Sequence, residues 1–168
     1  FNMSYSVGQI HKYSVKFYHE LQEETGQDVG FRTVSNIRLA TNQDRMDEYY
    51  QYAGVAETIG VKVNFLTPDE VKEIWPLCNI EGVVGAIQHP DDGYIQPADL
   101  TQALAKGARS RGATIHRNTA VTGIERTAGG EWLVKTDRGD ITCEHVVSAT
   151  GNFARRTGAM VGLDVPVI

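Results

Sequence analysis

The sequence predicts a mixed α/β fold with some α+β character. Helical patterns alternate with short strand patterns along most of the chain, and the last third holds three strand patterns joined by tight turns. A helix between two strands favours parallel pairing, whereas a short turn forces antiparallel pairing. We therefore expect a parallel sheet layer together with a three-stranded antiparallel meander.

Composition narrows the possible partners. The 168 residues carry a net charge of −5, which argues against nucleic acid as the main partner because phosphate binding needs a basic surface. No apolar run approaches the roughly 18 residues of a membrane span, so no membrane partner is expected. Cys78 and Cys143 lie far apart and outside any CxxC motif. This cysteine usage predicts reduced thiols and a cytoplasmic location.

Apolar periodicity predicts two long helices in the first part of the chain. The first covers residues 5–25 and ends at Gly26, with an apolar stripe of Val7, Ile10, Phe17 and Leu21. The second begins at Thr41 or Asn42 and ends at Gly60. Its predicted inward face is Met46, Tyr49, Tyr50, Ala53, Ala56 and Ile59.

Two more helices have clear starting signals. Thr67-Pro-Asp-Glu70 combines a capping residue, a proline at the first helical position and a capping-box glutamate. Pro97 opens a longer helix whose small residues predict close packing against a sheet. Short strands are expected between the first three helices and before Pro97, at 31–34, 36–40, 61–65 and 83–88.

The final third reads as strands followed by a glycine turn. Strand patterns occur at 113–116, 120–126, 131–135, 141–143 and 146–149. The last of them meets Gly151 and a helix-like pattern. Because glycine has no Cβ, such a turn lets the backbone approach a phosphate or a sugar closely. This order predicts the later half of a dinucleotide-binding fold.

Four stretches carry a resemblance to a known family. Residues 93–125, beginning Gly93-Tyr-Ile-Gln-Pro97, and Asp140-Ile-Thr-Cys-Glu-His-Val-Val-Ser-Ala-Thr-Gly151 resemble the D-amino acid oxidase-type flavoproteins, which oxidise C–N bonds with FAD. Leu21-Gln-Glu-Glu-Thr-Gly-Gln-Asp-Val-Gly-Phe31 and Asn36-Ile-Arg-Leu-Ala-Thr-Asn-Gln-Asp-Arg-Met46 are similar to the dimethylglycine and sarcosine dehydrogenase branch. The resemblance covers essentially the whole chain.

The resemblance implies a partial FAD-binding fold. Residues 1–92 would belong largely to the substrate-side region, and residues 93–168 would form the later part of the FAD-binding domain. The family's opening strand, GxGxxG turn and helix, which hold the FAD pyrophosphate, have no counterpart in this sequence. We therefore expect an internal fragment of a longer enzyme, inactive alone and unable to hold FAD tightly.

The resemblance also implies cofactor contacts. The backbone of Val121 matches the position that touches the adenine edge, although a plain core-strand role is equally open. Ala149, Thr150 and Gly151 would approach the FAD ribose and diphosphate, and the alternative is an ordinary strand end. No catalytic residue can be assigned from the sequence.

Other polar residues have simpler interpretations. His89, Asp91 and Asp92 surround a proline and precede a glycine, so they predict a turn, and no metal site is expected. Tyr94 follows that turn, and packing is a safer interpretation for it than a place in a substrate pocket.

Taken with the resemblance, the sequence predicts part of an oxidoreductase that transfers hydride to FAD from a small N-methylated amino acid of the dimethylglycine or sarcosine type. The expected partner is a small-molecule amine, with room for folate or an electron acceptor through regions outside the chain. One alternative is another member of the same family, an amino acid oxidase or a glycerol-3-phosphate dehydrogenase. The other is a binding or interaction domain without a cofactor.

Overall fold

The computed structural model describes residues 4–167, which form two compact units. One unit extends to Thr114 and the other begins at Ile115. The sequence instead divides substrate-side from cofactor-side regions at 92/93. Compactness within the chain does not test that division, which stays a prediction.

The described residues of the first unit form four helices and five strands. The helices are α1 (Tyr5–Thr25), α2 (Gln43–Ile59), α3 (Pro68–Ile74) and α4 (Pro97–Ser110). The strands are β1 (Arg32–Thr33), β2 (Asn36–Ala40), β3 (Asn64–Leu66), β4 (Gly85–His89) and β5 (Gly93–Tyr94). Among the residues that the structure describes, no helix is both long enough and apolar enough to cross a membrane.

The predicted helix ends are confirmed. Gly26 and Gly60 end α1 and α2 in the left-handed conformation, with φ of 62° and 75°. At the start of α3, the Thr67 hydroxyl accepts from the backbone N–H of Glu70. The Glu70 carboxylate in turn accepts from the backbone N–H of Thr67 at 2.7 Å. This reciprocal capping box satisfies two donors that the first turn would otherwise leave without partners.

A three-stranded antiparallel sheet lies between two helices. β4 is its central strand and pairs with β2 and β3. Alternate residues of a strand face opposite sides, so Ile87 packs with the α2 residues and Ala86 packs with Val71 of α3. All three of these side chains have no exposed surface. The sheet is thus covered on both faces and holds β4 at the centre of the unit.

Helix α2 buries a different set of residues from the one predicted. The buried positions are Met46, Tyr49, Tyr52, Ala56 and Ile59. Tyr50 is 53% exposed and packs on Phe65 with ring centroids 4.5 Å apart. The predicted stripe included Tyr50 in place of Tyr52, because both fit an amphipathic helix and only the sheet's position distinguishes them.

Helix α4 packs against α1 rather than against a sheet. A Cβ added at Gly107 would lie 3.3 Å from Cγ2 of Thr25, so the two helices approach closely there. Ala103 of α4 joins the apolar cluster that contains Leu21 and Phe31. The prediction of close packing by small residues was therefore right, and the predicted packing partner was wrong.

The second unit is the expected meander followed by a glycine turn. β6 (Val121–Arg126), β7 (Trp132–Thr136) and β8 (Ile141–Cys143) form an antiparallel sheet in that order. A short 3-10 turn (Gly151–Phe153) leads into helix α5 (Ala154–Ala159). The mixed α/β class and the meander are confirmed.

The expected parallel sheet layer does not form within the described residues, where all three sheets are antiparallel. The predicted strands at 113–116 and 146–149 have no regular secondary structure and belong to no sheet. A strand needs a neighbour for its backbone N–H and C=O groups, and these two segments find none in the described part of the chain.

Candidate functional site

Val121 lies at the start of β6, which is an edge strand of the meander. It is 40% exposed. The register shifts by one residue between Val121 and Gly123, and the Ala120 N–H donates to Oδ1 of Asp137 at 2.9 Å just before the strand begins. These features fix an edge backbone whose outer side has no neighbouring strand among the described residues.

Ala149, Thr150 and Gly151 are all exposed. Gly151 has φ of 54°, which favours glycine, and a Cβ built on it would meet nothing within 4 Å. The Thr150 hydroxyl lies 3.1 Å from both the Ser148 and the Thr157 hydroxyl. This side-chain network ties the turn to the beginning of α5.

The segment leading to this turn has the geometry of a strand without a ladder. Val146 and Ser148 line an apolar cavity of about 350 Å³ against the meander, whereas Val147 points away and is 88% exposed. This alternation is that of an extended strand. Among the described residues, no backbone hydrogen bond joins 145–149 to another strand. The segment therefore offers open backbone donors and acceptors.

These features fit one wall of an FAD site. Backbone groups of an edge strand can pair with an adenine edge whatever the side chain is. No heavy atom lies within 4 Å of a Cβ built on Gly151, so the backbone there is accessible to a ligand. The structure does not bring Val121 together with Ala149, Thr150 and Gly151 through any hydrogen bond, so their shared role stays a prediction.

The larger of the two cavities lies in the first unit, and the sequence did not predict it. It has a volume of about 470 Å³ and is bounded by α1, the end of α2 and the turn after β4. Its charged lining residues are Lys12, Lys16, Lys62, Asp91 and Asp92. Tyr52 and His89 also line it.

His89 and Tyr52 form a buried polar pair in this cavity. His89 is 7% exposed and Tyr52 is 4% exposed, and His89 Nε2 lies 3.0 Å from the Tyr52 hydroxyl. Burial lowers the pKa of His89 and raises that of Tyr52, so both groups are neutral near pH 7. Nδ1 of His89 has no hydrogen-bond partner among the described residues.

The turn after β4 places carboxylates beside this pair. The Asp92 backbone C=O accepts from the Val34 and Ser35 N–H groups, and its Oδ1 accepts from the Gly93 N–H at 2.8 Å. Asp92 thus has the turn-forming role that the sequence predicted, and its negative charge partly offsets the fall in the pKa of His89. Asp91 lines the same cavity and is exposed.

The lysines bring positive charge to the cavity, in contrast to the two carboxylates. Lys12 Nζ donates to the Ile59 C=O at 3.1 Å, at the end of α2 where exposed carbonyls favour a cation. Lys62 lies just beyond that helix and has no ion-pair partner among the described residues. The cavity therefore carries both signs of charge above a neutral polar floor.

Two sequence signals could have identified this cavity. Tyr52 follows Tyr49 by three residues and precedes Ala56 by four, which is helical spacing. This spacing places Tyr52 on the buried side of the helix, where its hydroxyl needs a hydrogen-bond partner. A histidine at the end of a strand can be that partner. Tyr94, by contrast, is 61% exposed and does not line the cavity.

Comparison with known proteins gives the family. A family model described as FAD dependent oxidoreductase (DAO) matches residues 3–168. Dimethylglycine dehydrogenase of Rattus norvegicus, a mitochondrial protein by name, is 36% identical over the whole chain, which covers 20% of that relative. The 4-methylaminobutanoate oxidase (formaldehyde-forming) of Paenarthrobacter nicotinovorans is 38% identical over 96% of the chain and 20% of the relative.

A solved structure gives the same result for the fold. The L-proline dehydrogenase of P. horikoshii superposes with a TM-score of 0.86 at 30% identity, covering 95% of this chain and 42% of that one. The chain spans about a fifth of the length of the two relatives above. The glycine turn, the edge strand, the full-length family match and this superposition agree, and the chain belongs to the DAO family of FAD-dependent oxidoreductases.

Proposed function

We propose that the protein oxidises the C–N bond of a small N-methylated amino acid in an FAD-dependent reaction. The match of residues 3–168 to the FAD-dependent oxidoreductase family carries this proposal. The names of the relatives support the substrate class, because dimethylglycine and 4-methylaminobutanoate both join an N-methylated amine to a carboxylate. Sarcosine has the same chemistry and belongs to the same proposal.

In this proposal the second unit supplies one wall of the cofactor site. The backbone of Val121 holds the adenine edge, and the turn at Ala149, Thr150 and Gly151 lies against the ribose and the diphosphate. Bound FAD supplies the acceptor for the hydride that leaves the carbon next to nitrogen. The open backbone of 145–149 and the space beside Gly151 support these roles.

Anaerobic spectroscopy of the full-length protein tests the reaction. Addition of dimethylglycine, sarcosine or 4-methylaminobutanoate should remove the absorbance of oxidised flavin and release a demethylated product. Proline belongs in the same panel, because the superposed L-proline dehydrogenase favours a cyclic secondary amine as a second candidate. If flavin is bound and none of the N-methylated compounds reduces it, the proposed substrate class is wrong.

The 168-residue chain provides a separate test of cofactor binding. It contains no GxGxxG sequence, so no glycine-rich helix start is present to hold the pyrophosphate. We expect the purified chain to lose flavin absorbance during gel filtration after incubation with FAD. Retention of stoichiometric flavin would show that this wall binds FAD by itself.

These two experiments also separate the remaining alternatives. Flavin reduction by another amino acid or by glycerol 3-phosphate would favour a different activity within the family. A full-length protein that binds no flavin would favour a binding or interaction domain. A cytoplasmic location, and folate or an electron acceptor as further partners, are part of the proposal, and subcellular fractionation tests the location.

A further inference from the structure

We propose that the cavity of the first unit is a recognition site for a small zwitterionic amino acid, with the carboxylate held by Nδ1–H of His89 and the ammonium of Lys62, and the amine directed to Asp91 and Asp92. This inference deepens the proposed function and rests on it only for the choice of N-methylated ligands. Its geometry comes from the cavity alone.

The floor of the cavity provides a hydrogen-bond donor that no described residue uses. A neutral imidazole has one donor and one acceptor nitrogen. When the Tyr52 hydroxyl donates to Nε2, the ring proton lies on Nδ1 of a residue that lines the cavity. His89 is 7% exposed as a residue, so a ligand that accepts from this donor would satisfy a polar group that no described residue satisfies.

The walls carry the two charges that a zwitterion needs. Lys62 is exposed at the cavity and has no ion-pair partner in the described part of the chain, whereas Lys16 is paired with Glu20 at 3.3 Å. Asp92 is fixed by the Gly93 N–H, and Asp91 lies beside it. A simple anion would meet repulsion from these carboxylates, and a simple cation would leave Lys62 and His89 without a partner.

The size of the cavity suits this ligand class. About 470 Å³ lies within the range of small-molecule sites and holds an amino acid with its first water molecules. The apolar lining of Val15, Phe31, Val61 and Ile95 offers surface for N-methyl groups. A larger amine such as 4-methylaminobutanoate also fits within this volume.

Calorimetry on the full-length protein tests the site without turnover. The protein is treated with dithionite first, so that any flavin is reduced and no amine is oxidised. We expect saturable binding of dimethylglycine. Binding should be roughly tenfold weaker or more for 3-methylbutanoate, the carbon isostere that lacks the amine, and for dimethylglycinamide, which lacks the carboxylate. Equal binding of 3-methylbutanoate, or no saturable heat with dimethylglycine, would overturn the proposal.

Two substitutions at His89 separate recognition from folding. The amide of glutamine in His89→Gln reaches the position of Nε2 and can keep the contact with Tyr52. The amide of asparagine in His89→Asn lies near the position of Nδ1 and can keep the donor in the cavity. We expect H89Q to weaken dimethylglycine binding roughly tenfold and H89N to retain most of it. The reverse order would contradict the assignment of Nδ1.

Substitutions of two lysines test whether the charge of Lys62 contributes to binding. Lys62→Met removes the unpaired cation and should weaken binding of dimethylglycine by a similar factor, while Lys106→Met removes an exposed lysine outside the cavity and should leave binding unchanged. Equal effects of K62M and K106M would show a general charge effect and would overturn the site. Flavin reduction in the wild-type protein is measured separately, so a failure of the proposed reaction stays distinguishable from a failure of this site.

Discussion

Gly93 is the position where a single methyl group should do the most local damage. A Cβ at this residue would lie 2.0 Å from the Arg32 carbonyl oxygen, 2.8 Å from the Arg32 carbonyl carbon and 3.1 Å from Cα of Thr33. All three atoms are backbone, so no side-chain rotation relieves the contact. Ordinary contact begins near 3.4 Å. Gly93→Ala therefore requires β1 and β5 to separate by about 1.4 Å.

Such a separation breaks the short β1–β5 pairing. Hydrogen bonds lengthened by that distance are lost, and each contributes about 0.5–1.5 kcal/mol net. The Asp92 C=O, which accepts from Val34 and Ser35, lies one residue away and would be displaced with the turn. We expect G93A to lower the free energy of unfolding by about 2–4 kcal/mol.

Urea unfolding followed by circular dichroism measures this change. Gly54→Ala is the matched control. Gly54 lies in the middle of α2 on its exposed side, and a Cβ there would meet nothing within 4 Å. Alanine has the higher helix propensity, so G54A should raise the free energy of unfolding by about 0.5–1 kcal/mol. A G93A protein within about 0.5 kcal/mol of wild type would refute the steric argument.

Three further predictions concern the cap of α3, a buried residue of β4 and the titration of His89. Thr67→Val should cost about 1 kcal/mol in urea unfolding, since it removes the hydroxyl that accepts from the Glu70 N–H; no measurable cost would contradict the capping role. Ile87→Ala, at a fully buried site, should cost about 2–5 kcal/mol, whereas Leu77→Ala, at a side chain 92% exposed, should stay within about 0.5 kcal/mol. Burial lowers the pKa of His89, so the unfolded chain binds a proton at this residue more tightly than the folded chain does. The free energy of unfolding should therefore fall as pH drops below about 6.5. An equally steep fall in H89Q would contradict this expectation.

That pH dependence involves the groups that face His89. Tyr52 contacts the ring from α2, and its pKa is raised by burial, so it stays neutral throughout this range. Arg38 of β2 repels the imidazolium, whereas Asp92 in the turn attracts it. The downward direction of the His89 shift shows that burial, with the positive charges of the N-terminus and Arg38, outweighs the attraction by Asp92.

Local sequence signals predicted the helices and the meander well. The capping box at Thr67, the glycines that end α1 and α2, and the proline that opens α4 each act through neighbouring residues, and the structure confirms them. The parallel layer was predicted from pairing that needs distant partners. Residues 113–116 and 146–149 have strand composition, but no described strand lies beside them.

The candidate site shows the same division between local and distant information. The turn at Gly151 was visible because glycine marks a positive φ within a few residues. The pair of Tyr52 and His89 was not, because 37 residues separate them and the pairing depends on how α2 lies across the sheet. The apolar periodicity predicted that Tyr50 is buried and did not include Tyr52. It therefore did not indicate which residue of α2 lines the cavity.

The central position of β4 has a consequence for how the cavity recognises a ligand. Its backbone amides are shielded by strands on both sides and by a helix on each face, so they should be among the slowest in the unit to exchange with deuterium. His89 is the last residue of that strand. Its imidazole is therefore held at the end of a strand that is paired on both sides, and we expect it to lose little conformational entropy when a ligand binds. By contrast, Lys62 and Asp91 are exposed on segments outside the sheet and keep the freedom to adjust to amines of different length.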